Sequence, residues 1–297
     1  MIPTIITKIL SESLLSLYPI FVKKINISLG LQLWSRFFTY VCLSFFFIDW
    51  LFIYNTILSI DGLLLSFVTL FHVFFSYRGF QLLESGISYV MFYTYPIMIL
   101  LLSGENIHYI DFLYLFVIII GIFLLFFSHF PEEEKKESEP KEKEKVENKP
   151  ICGFIMILFA AFTEACIYFI VRRMKTNNNW NHLFISYFFG AIFLTGYYLC
   201  ITPSLNTEIE KSIHPNISTP IFISVIINFV IGLFGYLLRF YSITRLPTKI
   251  YALLSYVGIV MAYVYGVLFN QETININKIV GSIFIIIPVY WLSIANR

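Results

Sequence analysis

Ten stretches of this chain are long and apolar enough to cross a bilayer, and no other feature restricts its fold so strongly. They cover 3–22, 31–49, 58–77, 86–103, 110–129, 151–171, 181–201, 220–240, 248–269 and 277–295. A helix needs roughly 20 apolar residues to span the hydrocarbon core, where each backbone polar group must be satisfied internally. The predicted fold class is all-α and integral to a membrane, with ten transmembrane helices. Composition agrees. Hydrophobic residues make up 58% of the chain and aromatic ones 19%, and the mean hydropathy is +0.79. Charged residues reach 13%, against roughly 25% in a soluble domain. The net charge is +2 with no basic patch, so a nucleic-acid partner is not expected. Lys8, Ser11, Glu12 and Ser13 interrupt the first run, which reads as a retained helix rather than a signal peptide.

Pro131 to Pro150 breaks the pattern with eight Glu, six Lys and almost nothing apolar. Such a tract cannot bury enough surface to offset its ordering entropy, so a flexible, solvated linker is expected. Five runs lie on each side of it. Three units follow: a first five-helix repeat over 1–129, the linker over 130–150 and a second five-helix repeat over 151–297. The halves share a signature. Glu105-Asn106-Ile107 leads into Ile118-Ile119-Ile120-Gly121, and Glu272-Thr273-Ile274 leads into Ile285-Ile286-Ile287-Pro288 at the same offset. An odd number of helices per half requires two inverted repeats, the arrangement that lets one half rock against the other. Loop Lys and Arg divide between the two faces, so charge alone does not orient the chain. Asn26-Ile27-Ser28 and Asn216-Ile217-Ser218 match the N-glycosylation pattern and fall on one face of this arrangement.

From Gly232 to Trp291 the chain resembles the EamA-type branch of the drug/metabolite transporter superfamily. The likeness lies in Tyr236 and Tyr241, the turn at Leu246-Pro247, the run Val267-Leu268-Phe269-Asn270-Gln271-Glu272 and the Ile279-Val280-Gly281 that opens the last span. The first half repeats it more faintly in Tyr77 to Phe80, Tyr95-Pro96, Glu105 and Gly121. Gln271 stands in place of a common glycine, and Tyr114 stands where the second half has Gly281. The resemblance implies a transporter with cytosolic termini and a central cavity between the halves.

Intramembrane ionisable groups are costly and usually face a partner or a water-filled path. Glu12 lies midway along the first span with Lys8 one turn before it. It reads either as a proton or cation site, or as an i,i+4 ion pair whose lysine snorkels to water. Glu164, with no basic residue within two turns, is a coupling site or a protonated acid bonded to a neighbouring helix. Arg78 and Arg239 end spans three and eight at roughly equivalent positions. They either clamp an anion or anchor at the interface, and Arg36 in span two poses the same choice. Tyr89, Tyr93 and Tyr95 crowd ahead of Pro96, with Tyr89, Tyr93 and Pro96 on one helical face. Tyr168 in span six and Tyr251 and Tyr256 in span nine complete the tyrosines that can stack on a solute. Glu105 and Glu272 read as charges at the starts of the following helices. The histidines, His72, His108, His129, His182 and His214, have no ligand-like spacing, and Cys42, Cys152, Cys166 and Cys200 read as small buried residues. No metal or cofactor is expected. No P-loop or nucleophile elbow appears, so neither ATP-driven pumping nor enzymatic activity is expected.

The expected function is secondary transport by alternating access of a small metabolite or drug-like solute, with Glu12 or Glu164 binding a proton. The alternative within the same superfamily is an exchanger of anions such as nucleotide sugars or sugar phosphates. A non-transporting scaffold or a multi-pass membrane enzyme stands further off. The partners expected are the solute and the lipid bilayer; oligomeric state is open.

Overall fold

A computed structural model describes residues 2–25, 27–83, 85–104, 109–127, 140–200, 218–271 and 276–295, and every regular element among them is helical. In chain order these are α1 (Ile2–Leu15), α2 (Tyr18–Lys24), α3 (Leu29–Ser44), α4 (Trp50–Thr56), α5 (Ile60–Leu82), α6 (Ser85–Phe92), α7 (Tyr95–Leu102), α8 (Tyr109–Phe127), α9 (Pro140–Arg173), α10 (Asn179–Cys200), α11 (Ser218–Ile227), a π-helical stretch (Asn228–Leu233), α12 (Phe234–Arg245), α13 (Thr248–Ser255), α14 (Val257–Asn270) and α15 (Ile276–Ala295). Five stretches are long and apolar enough to cross a membrane: Ile2–Lys24, Ile60–Leu82, Ile151–Arg173, Pro220–Arg245 and Thr248–Phe269. Shorter apolar stretches run over Ser88–Leu102, Phe112–Leu124 and Ile279–Pro288. The outer surface is apolar as lipid requires, with Phe46, Leu51, Leu58 and Phe116 all exposed.

Runs read in the sequence as single helices are broken where the chemistry of the backbone breaks them. Pro19 and Pro96 open α2 and α7, where the missing N–H is an orphan anyway. The π-helical stretch before α12 begins at buried Asn228, which accepts from the Tyr18 hydroxyl (3.1 Å) and donates to Ser35 Oγ (3.2 Å). Single π turns inside α-helices are frequent at functional sites. The run expected to end at 49 stops at Ser44, and Asp49 then caps the short α4 by accepting from Leu51 and Phe52 N–H. Helix α9 starts at Pro140, within the Glu/Lys tract, whose residues are strong helix formers. Cys42 and Cys152 are exposed rather than buried; on an apolar outer surface a thiol needs no core position.

Helices pair across the two halves of the chain. α1 packs on α12 and α5 on α9; α3 packs on α10, α7 on α13 and α8 on α15. The last contact is close because it is built on glycine. A Cβ at Gly121 would lie 2.7 Å from the Gly281 carbonyl oxygen. Left-handed backbone recurs at matched positions: Gly104 (φ 65°) and Gln271 (φ 56°) stand one residue before Glu105 and Glu272. Those two acids, the two Asn-x-Ser asparagines and residues 130–139 of the charged tract lie outside the described residues.

Candidate functional site

On α1 the buried residues are Lys8, Ser11, Glu12 and Leu15, a stripe at three- and four-residue spacing. In a lipid-soluble helix the polar face turns inward. Ser11 donates to the Gly235 carbonyl (2.8 Å), which fixes the register of α1 against α12. Glu12, the next residue of α1, meets Arg239, one turn beyond Gly235 on α12. On the other side of the core, α5 lies against α9, and His72 Nδ1 approaches the Ala160 carbonyl at 3.0 Å. One turn beyond Ala160, Glu164 meets His72.

Arg239 joins the two carboxylates. Its Nη1 donates to Glu164 Oε1 (2.7 Å), and its Nη2 lies 3.3 Å and 3.4 Å from the two oxygens of Glu12. Lys8 pairs with Glu12 Oε1, and Tyr93 (2.5 Å) and Tyr95 (3.5 Å) donate to the same carboxylate. His72 Nε2 lies 3.3 Å from Glu164 Oε2, off the axis of a hydrogen bond. All five ionisable groups are buried. Lys8 therefore does not snorkel: its ammonium sits 3.6 Å from the centre of the Tyr251 ring. Glu12 is an ion pair of the core, not of the interface.

The tyrosines divide. Tyr93 and Tyr95 both reach Glu12, although a continuous helix would point them apart; the break between α6 and α7 brings them to one side. Tyr89 donates to the Leu15 carbonyl. The ring of Tyr168 lies 4.9 Å from that of Tyr251, and Arg172 donates to its hydroxyl. Tyr256 is buried at the break between α13 and α14, outside the charged cluster. Gly258 makes room for Tyr93, since a Cβ there would stand 1.7 Å from its hydroxyl.

Arg78 does not join the cluster; it is exposed and donates to Gln81. The sequence pairing of Arg78 with Arg239 needs correction. Glu105 and Glu272 are 167 residues apart, and the residue 167 before Arg239 is His72. The same separation matches Arg78 with Arg245, which is exposed and stacks on Tyr241 (3.9 Å). Histidine spacing, which addresses only metal ligation, does not single out His72. The repeat offset, together with its place in an apolar span, was the signal that pointed to it.

Beside this cluster Arg36 is buried in a cage of tyrosines. Its guanidinium lies between 4.7 Å and 5.6 Å from the rings of Tyr18, Tyr40, Tyr77, Tyr187 and Tyr236. Nη2 donates to the Tyr187 hydroxyl (2.8 Å). Tyr236 also lies 5.6 Å from Arg239 and so stands between the two arginines. A cavity of about 20 Å³, room for about one water, is lined by Arg36, Arg239, His72, Tyr18, Tyr89 and Tyr236 among others. Among the described residues no three His, Cys, Asp or Glu side chains converge as metal ligands.

No curated protein matches the chain. A solved crystal structure superposes with a TM-score of 0.67 at 12% identity, covering 99% of this chain and 99% of that one, which shows a shared fold alone. The EamA-like transporter family matches residues 151–294, the part that carries Glu164, Arg239 and Tyr251. Over those residues, just under half of its length, this integral membrane chain is similar to the EamA-like transporter family.

Proposed function

We propose that the protein is a proton-coupled secondary transporter, built as two inverted five-helix halves of ten spans, that works by alternating access. The helix pairings support the inverted reading. Exchanging the halves maps α1 on α12 onto α9 on α5, and maps α3 on α10 and α8 on α15 each onto itself. In such carriers the site lies where the two halves meet near the midplane, beside interrupted helices. Supporting this, Glu12 lies one turn before the break in span one and accepts from tyrosines on both sides of the break in span four.

One observation carries the coupling reading: the contact between His72 and Glu164. A carbonyl oxygen only accepts, so His72 Nδ1, facing that of Ala160, holds a hydrogen. In the neutral ring Nε2 is then an acceptor, and it faces Glu164 Oε2 at 3.3 Å. Two acceptors at that distance repel, so a proton belongs between them, on the ring or on the acid. The charged groups around it are Arg239 on α12, with Glu12 and Lys8 on α1 behind it. In the cycle a proton would enter this pair from one side, and rocking of the halves would part His72 from Glu164 and release it to the other.

The test is reconstitution in proteoliposomes that enclose a pH-sensitive dye, challenged with amino acids, sugar phosphates, nucleotide sugars and organic cations. A transported solute should carry protons with it. Glu164→Gln and His72→Asn should abolish the proton signal while solute counterflow persists. A proton signal undiminished in both variants would overturn the assignment.

A further inference from the structure

Among the described residues the buried charged side chains are Lys8, Glu12, Arg36, Glu164 and Arg239, three cations against two carboxylates. Both carboxylates are engaged by Lys8 and Arg239, and a proton shared with His72 adds to the positive excess. Arg36 makes no ion pair among the described residues, and its Nε has no acceptor. The same holds for Nε of Arg239, whose other nitrogens serve the carboxylates. A guanidinium cannot shed its proton to escape burial. The tyrosine rings around Arg36 offer their negative faces, which replace only part of the lost hydration. A buried cation of this kind calls for a counter-charge.

The place for that counter-charge is the cavity that both arginines line, with His72 and the ring of Tyr236 at its wall. Arg36 belongs to the first half and Arg239 to the second, so a ligand held by both would feel any relative movement of the halves. We infer that this cavity is the seat of an oxyanion, a carboxylate or phosphate carried by the transported solute, gripped between Arg36 and Arg239. Planar guanidinium forks match such groups bidentately. In the closed arrangement the cavity takes about one water, so the anion enters when the halves part. In that respect the inference rests on the alternating-access reading. The aromatic walls suit an apolar or planar body behind the anionic head.

The experiment is thermal unfolding of the full chain in detergent, titrated with inorganic phosphate, acetate and pyruvate, with choline chloride at matched ionic strength as control. The expected result is saturable stabilisation by at least one oxyanion. Phosphate acting alone would identify a phosphate head, and the organic acids acting alone a carboxylate. Arg36→Gln should weaken binding at least tenfold and Tyr187→Phe only a few-fold. Should Arg36→Gln fail to fold, Arg36→Lys keeps the charge without the planar fork and should still lose several-fold in affinity. No saturable shift beyond choline chloride overturns the inference, as does wild-type affinity in the Arg36 variant that folds. The two readings fail separately. Oxyanion binding lost in the Arg36 variant but without proton movement in proteoliposomes would sink the coupling alone. Proton movement evoked only by neutral or cationic solutes would sink the anion site alone.

Discussion

The Glu12–Arg239 pair and the Glu164–His72 pair each join the first half of the chain to the second, and they are built differently. Each joins a carboxylate on the first helix of one half to a side chain on the third span of the other. Glu12 is saturated: both oxygens accept, from Lys8, Arg239, Tyr93 and Tyr95. Glu164 gives one oxygen to Arg239 and turns the other toward His72 without an aligned bond. Arginine stays charged at any accessible pH, whereas a histidine ring can be neutral or charged. On the proposed reading the first pair stays charged throughout, and its counterpart is the one that gains and loses a proton.

Arg239→Ala attacks both pairs together and should have the largest effect. It leaves two carboxylates buried with only Lys8 and His72 for company, a loss of about 3–5 kcal/mol, read as a large drop in Tm together with loss of transport. Glu12→Gln should cost about 3 kcal/mol, because it strands the buried Lys8 ammonium. Gly258→Ala strikes the same carboxylate indirectly. The new methyl displaces Tyr93 from its bond to Glu12, for about 2 kcal/mol by thermal unfolding.

Glu164→Gln should cost only about 1 kcal/mol, since the neutral amide can still bond to Arg239 and face His72. Its signature is functional: the pH dependence of solute uptake should flatten. If Glu164→Gln proved more destabilising than Glu12→Gln, the assignment of fixed and movable roles would be reversed. Gln271→Gly is the mildest change. It gives the second half the residue that the first half has at Gly104, and it should raise stability by about 0.5–1 kcal/mol, because a left-handed backbone suits glycine.

Much of the architecture was readable in the chain itself. Composition named the solvent, and apolar runs marked helices. Glu12, Glu164 and Arg239 stood out because charge is expensive in an apolar span. His72 did not stand out, because a single histidine has no pattern until the repeat sets it against Arg239. The helix breaks were partly legible in Pro19 and Pro96, but no proline marks the break at Tyr256.

The sequence by itself determined that these helices live in lipid and that a few ionisable groups must find partners there. Only the tertiary structure decided which partners. It brings Arg239 inward and leaves Arg78 outside, because register depends on contacts such as Ser11 with Gly235 and His72 with Ala160, between residues far apart in the chain. It also placed Arg36 among tyrosines from four other spans, so that a buried cation faces a cavity instead of a carboxylate. Local periodicity tells a helix which face to hide, but the side chain it meets there depends on packing between distant segments.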